Sequence, residues 1–167
     1  INLPVTNDVP VPTSPGQTIW EHEMGIPPPE CIAHMTLVQR QSPCLSIVQD
    51  IYRELNWHQS EKSHSPYTQI VGPSCLIARE DFRLGLLLLP ENIVYPNHQH
   101  CPDEVYVVLA GSGEWSLNQR MFDNKTVGNI IDIPSMTIHS MRTSANPVLA
   151  LWSWTGDDVS PDSYRFC

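Results

Sequence analysis

Two histidines, His98 and His100, stand two residues apart, Glu104 follows four residues later, and His139 lies well downstream. Imidazole nitrogens combined with a carboxylate oxygen form a mixed donor set, which suits Zn, Fe, Mn, Ni or Cu and does not suit Ca or Mg. The pattern predicts one divalent transition metal held by His98, His100, Glu104 and His139. Four protein ligands leave one or two positions open on a five- or six-coordinate ion, and substrate would sit there.

Alternation along strands sorts these residues by face. In extended chain, alternate side chains point the same way, so His98 and His100 face one side. Glu104, Tyr106 and Val108 share one face of the next strand, while Val105, Val107 and Leu109 share the other. The apolar set needs a core, and the set carrying Glu104 and Tyr106 would line a lumen, with Val108 deeper in. His139 shares its face with Thr137 and Met141. Cys101 follows a ligand and reads as a loop residue beside the site. His22, His34, His58 and His64 read as surface or linker residues.

The elements that must position this set are mostly strands. From about Thr68 the chain breaks into short apolar and β-branched runs over 69–78, 83–89, 104–110, 113–118, 128–133, 137–142 and 147–154, separated by Gly, Pro, Asn and Asp. Many short strands with intervening turns predict a sandwich, barrel or jelly roll. Upstream, Pro27-Pro28-Pro29 leads into a helix from Glu30 to about Gln39, with Pro29 suited to the first helical position. Ser42 caps a second helix with Pro43 just inside, and Val48, Ile51, Tyr52 and Leu55 recur on one buried face. Asn56 to Pro66 reads as a polar connection. One structural domain results: a Pro-rich extended arm over 1–18, a helical extension over 19–66 and a β-barrel over 67–167.

Composition excludes several functions. The chain has 167 residues with 18 acidic against 9 basic, a formal net charge of -9, which argues against nucleic acid and against electrostatic attachment to a membrane. No apolar run approaches the roughly 20 residues of a membrane span. Five cysteines at irregular spacing, Cys31, Cys44, Cys75, Cys101 and Cys167, do not form a disulfide framework and read as reduced, which predicts a cytoplasmic location. The chain starts at Ile1, which is compatible with a trimmed leader, and Asn124-Lys125-Thr126 reads as a chance glycosylation sequon.

The stretch His98-Gln-His100, three residues, Glu104, six residues, Gly111 resembles the first cupin motif. Gly128, five residues, Pro134, then His139 resembles the second. Asn92 stands where the first motif often opens with Gly, Met136 replaces the usual Gly of the second after Pro134-Ser135, and Thr143 stands where Asn often closes the second motif. Glu104-Val-Tyr106, Gly111-Ser-Gly-Glu-Trp115, Pro134 to Thr143 and Pro147 to Asp157 together resemble the cupin dimethylsulfoniopropionate (DMSP) lyases. That resemblance implies a cupin double-stranded β-helix, a jelly-roll barrel preceded by a short helical region. It implies a carbon–sulfur lyase that splits DMSP into dimethyl sulfide and acrylate, with Tyr106 as base and the metal polarising the substrate carboxylate.

The small zwitterionic sulfonium substrate so implied also needs a partner for its cation. Aromatic faces supply one, and Tyr95, Trp115, Trp152 and Trp154 are the candidates. Trp152 and Trp154 share a strand face, opposite Leu149, Leu151 and Ser153, and alternation alone leaves open which face looks inward. Two other functions fit the same ligands: an Fe(II)-dependent cupin dioxygenase acting on a small, thiol-type substrate, and a cupin that binds a small ligand without catalysis. Barrel edges and the long arm are compatible with a homodimer.

Overall fold

The computed structural model describes residues 25–35 and 43–167. The arm over 1–18, His22, the helix end near Gln39 and the Ser42 cap lie outside the described residues. Helical structure is short: a 3-10 helix over Glu30–His34, the helix α1 over Pro43–Ile51, and a 3-10 turn over Tyr52–Glu54. The first helix is thus a single 3-10 turn for which Pro29 is the N-cap residue and not the first helical residue. On α1 and the turn after it, Leu45, Val48, Tyr52 and Leu55 are buried, whereas Ile51, expected on the buried face, is 37% exposed.

Ten strands follow: β1 Trp57–Gln59, β2 Pro66–Val71, β3 Arg83–Leu89, β4 Val94–Gln99, β5 Asp103–Leu117, β6 Asp123–Thr126, β7 Ile130–Ile133, β8 His139–Arg142, β9 Val148–Thr155 and β10 Arg165–Phe166. They form one sheet in the order β1-β2-β3-β9-β5-β8-β4-β10, with β6 and β7 also paired to β5, and the strand pairs are antiparallel. The N-terminal part of β5 pairs with β7 and β9, and its C-terminal part pairs with β6 and β8. This one strand therefore joins the two halves of the sheet and curls them around a lumen. A register shift between Val108 and Ala110 marks the bend. Gly111, at φ 75, follows it; a Cβ there would collide with the Pro147 carbonyl.

The fold is mainly β and cupin-like, but the expected closed barrel is corrected to a curled, open sheet. Its path ends at β1 and at β10, and among the described residues no ladder joins those two edges. Other expectations shift for local reasons. The strands expected over 104–110 and 113–118 are one continuous β5, because Gly111 bends the strand without ending it. Strand β2 stops at Val71, where Gly72, at φ 150, opens a turn in place of the expected run to 78. Strand β1 lies inside the presumed polar connection, and β4, β6 and β10 were not among the expected strands. Asn92 and Met136 both adopt the left-handed conformation, at φ 58 and 59. The glycine-type turns of the motif are kept with other residues in them, at a cost of about 1 kcal/mol for a side chain such as Met.

Alternation feeds two cores. On the convex side Leu86, Leu88, Leu109 and Leu149 meet Ile32, Leu45, Val48, Tyr52, Leu55 and Trp57. On the lumen side Leu87, Leu89, Val108, Ala150 and Val148 pack in one cluster with Tyr106, Trp152 and Trp154. The Trp152/Trp154 face thus looks inward. Gly85 makes this possible, since a Cβ there would strike the Trp152 indole and the Thr68 carbonyl.

Candidate metal centre

His98 and His100 come from β4 and the residue just beyond it, Glu104 from the start of β5, and His139 from the start of β8. All four are buried, at 1–2% exposure. The register sets them side by side: His98 lies opposite His139, and Glu104 lies between Ile133 and Trp154. One ligand atom from each of His98, His100 and His139 falls within 4.8 Å of the others, and the His98 and His139 rings are 3.9 Å apart centre to centre.

Each ring is held from behind. Nδ1 of His98 meets the Pro96 carbonyl at 2.8 Å, that of His100 the Pro102 carbonyl at 3.0 Å, and that of His139 the Thr137 carbonyl at 2.8 Å. A carbonyl only accepts, so each Nδ1 carries the hydrogen and Nε2 is the ring nitrogen left to face a metal. Backbone anchoring of this kind orients metal-ligating histidines. Burial, followed by the neighbouring His139, lowers the pKa of His98 to about 3, so that ring is neutral at ordinary pH.

Glu104 lies against this group. Its Oε2 lies 3.2 Å from Nε2 of both His100 and His139, and its Oε1 accepts from Trp154 Nε1 at 2.7 Å. Burial alone would raise the carboxyl's pKa, but the contacts with His100 and His139 outweigh it and hold the group below the ordinary carboxylate range. A carboxylate kept ionised beside three buried imidazoles puts negative charge where a cation would bind. His139 Nε2 is buried and has no hydrogen-bond partner, despite its proximity to Glu104. The three imidazoles are therefore positioned to coordinate a single divalent metal ion.

Above the cluster lies a cavity of about 560 Å³, lined among others by Tyr95, His98, Glu104, Tyr106, Trp152 and Trp154. Tyr106 is 4% exposed and shares the lumen face with Glu104, as alternation required. Burial, then the negative charge of Glu104, push its phenol well above the ordinary tyrosine value. Of the four aromatic residues expected to contact substrate, Tyr95, Trp152 and Trp154 line the cavity. Trp115 does not: it is buried behind Tyr106, ring centres 6.0 Å apart, because it sits on the far limb of β5. Cys101 places its sulfur 3.9 Å from Met136 Sδ, outside the three-histidine group.

Residues that the motifs did not reveal close the site. Tyr164 stacks on His98 at 5.0 Å and donates from its hydroxyl to Tyr95 Oη at 3.0 Å. Phe166 pairs with His98 in register through β10. Tyr67, Gln69 and Arg83 line the opposite wall. The only signal for the C-terminal pair was an alternation of aromatics at Tyr164 and Phe166, with no spacing relation to the histidines.

The model of the dimethylsulfoniopropionate lyase family matches residues 33–150. A dimethylsulfoniopropionate lyase, DddQ of Ruegeria pomeroyi, is 30% identical over 88 residues, which is 53% of this chain and 44% of that protein, so the match spans less than half its length. Among solved structures, one of the DMSP lyases RdDddP and RnDddQII superposes with a TM-score of 0.75 at 19% identity, covering 89% of this chain and 82% of that one. The crystal structure of DddQ from Ruegeria pomeroyi gives 0.72 at 21% identity over 84% and 76% of the two chains. A cupin-like protein of Thermotoga maritima gives 0.54 at 12% identity over 64% and 77%. At such identities the three superpositions establish the fold.

Proposed function

The chain belongs to the dimethylsulfoniopropionate lyase family, and from that premise we propose that it is a metal-dependent lyase cleaving DMSP to dimethyl sulfide and acrylate by β-elimination. The observation that carries this reading is the convergence of three backbone-anchored imidazoles with Glu104 and Tyr106 beneath an aromatic-lined cavity. The reaction needs little else. The α C–H bond breaks and its electron pair forms the C=C bond. The β C–S bond breaks and its pair leaves on sulfur as neutral dimethyl sulfide. A sulfonium leaves without acid help, so one base and one stabilising positive charge suffice.

In this reading His98, His100, Glu104 and His139 hold the metal. When bound there, a divalent ion supplies the positive charge that polarises the substrate carboxylate and favours the phenolate of a neighbouring tyrosine. Tyr106 takes the α-proton on its hydroxyl oxygen. Its position two residues after Glu104 on the lumen face supports that role, and its high intrinsic proton affinity makes the phenolate a strong base. Trp154 fixes the Glu104 carboxylate through its indole N–H. The faces of Tyr95, Trp152 and Trp154 receive the sulfonium by cation–π attraction.

The deciding experiment measures headspace dimethyl sulfide and dissolved acrylate after metal-loaded protein meets DMSP. Equimolar products, lost on chelation and in His139→Ala, are expected. Absence of product with Zn, Fe, Mn, Ni and Cu alike would sink the lyase reading. Oxygen consumption with another small substrate would then mark a dioxygenase.

A further inference from the structure

The chain is acidic, yet one cation in the cavity wall has no acidic partner. Arg53, Arg79 and Arg142 pair with Glu30, Asp81 and Glu114. Arg83 does not. Its Nε donates to the Val159 carbonyl at 2.5 Å and its Nη1 to Gln69 Oε1 at 3.2 Å, both neutral acceptors. Among the described residues its Nη2 has no hydrogen-bond partner and the guanidinium forms no salt bridge. Of five guanidinium N–H groups, three remain to bind something else.

Position gives those donors a role. Arg83 lies on the lumen face of β3 in line with Gly85 and Leu87, and it lines the same cavity as His98, Glu104 and Tyr106. In register it faces Trp154 on β9, which faces Glu104 on β5. Two strand spacings of about 4.8 Å put its backbone roughly 10 Å from that of Glu104. The two carboxylates that line the cavity do not pair with it: Glu104 is held by His100, His139 and Trp154, and Glu61 is exposed. A half-buried guanidinium pinned by two neutral acceptors, with free N–H groups toward a cavity, is suited to a planar carboxylate.

We propose that Arg83 forms a second, carboxylate-binding subsite in this cavity, separate from the metal centre, that takes a small aliphatic monocarboxylate. The identity of the physiological ligand rests on the lyase reading: the substrate's carboxylate as it enters and acrylate as it leaves. On that reading Arg83 holds the carboxylate on entry, and the carboxylate passes to the metal centre for the elimination.

The test uses the full chain, labelled with ¹⁵N and freed of metal by chelation, titrated with propionate. The Arg83 Nε–H and Trp154 indole N–H resonances are expected to shift saturably with propionate and not with neutral propionamide. Loss of the charge-assisted pair should weaken binding about tenfold or more in Arg83→Gln. Arg83→Lys, which keeps the charge, should retain the Trp154 shift, and so should His139→Ala, which removes a metal ligand. Equal affinity in wild type and Arg83→Gln, or no saturable shift in the wild type, overturns the subsite. In turnover, Arg83→Gln should raise KM for DMSP more than it lowers kcat and should relieve inhibition by acrylate. If the chain does not cleave DMSP, the propionate titration still reads the subsite, so the two failures are distinguishable.

Discussion

Strands β3, β5 and β9 each have a face toward the lumen and a face toward α1, and the two could hardly differ more in chemistry. The convex face is dry and aliphatic: Leu86, Leu88, Leu109 and Leu149 are at most 2% exposed and meet Ile32, Leu45 and Trp57. The lumen face mixes aromatic rings with a buried carboxylate, a phenol and a half-buried guanidinium around a cavity of about 560 Å³. Buried polar groups and open space both lower stability. The lumen tolerates them because the same strands bury a continuous aliphatic layer one residue out of phase. A period of two lets one strand serve a packed layer and a reactive one.

The sharpest way to break this contrast is a change that silences one face and spares the other. Tyr106→Phe deletes only the hydroxyl on the lumen face. Turnover of DMSP is expected to fall by about 10²–10⁴-fold, the usual range for a general base, while metal content, read by elemental analysis, and thermal stability hold. Full activity in that variant would remove Tyr106 from the base role.

The complementary change is Leu88→Ala on the convex face. Loss of a fully buried leucine should lower unfolding free energy by about 2–5 kcal/mol in urea denaturation. Activity per folded molecule and metal content should stay at wild-type values. A change in kcat proportionate to the lost stability would show that the two layers are mechanically coupled and not independent.

A smaller effect is expected at the seam between the layers. Gly85 leaves space for the Trp152 indole on the lumen side, directly against the β2 backbone. Gly85→Ala should displace that indole and shift its fluorescence maximum, with a stability loss of about 1–3 kcal/mol from overpacking. An unchanged spectrum would mean that Trp152 does not rest on this glycine.

The same asymmetry explains what the sequence could and could not disclose. Glu104, Tyr106 and Val108 were separable from Val105, Val107 and Leu109 because alternation is local. The pair His98 and His100 was legible for the same reason, and His139 through its motif spacing from Pro134. The far walls were not. Arg83 reaches the site because β3 pairs with β9 and β9 with β5, and Tyr164 because β10 adds to β4. Strand order joins residues separated by dozens of positions, and no local period encodes it. The openness of the sheet was hidden too, since closure depends on whether the edges at β1 and β10 meet. The position of Trp115 behind Tyr106 was hidden as well, because the bend at Gly111 sets it on the far limb of the strand.

The gentlest probe of the contrast is pH, because the lumen face titrates and the convex face does not. Folding lowers the pKa of His98 from an ordinary 6.5 to about 3. Between those values the unfolded chain binds a proton that the folded chain excludes, so stability falls as pH drops. Glu104 acts in the same direction only below its ordinary 4.5, where the unfolded carboxyl is protonated and the folded one stays ionised. The interval from pH 6.5 down to 4.5 therefore isolates His98 from Glu104. Urea titrations of metal-free protein across that interval should show His98 contributing up to about 1.4 kcal/mol of lost stability per pH unit. His98→Gln should remove this slope, whereas Leu88→Ala should lower the whole curve without tilting it. Identical slopes in wild type and His98→Gln would mean that the buried imidazole accepts its proton in place, and that the lumen is wetter than its 2% exposure at His98 implies.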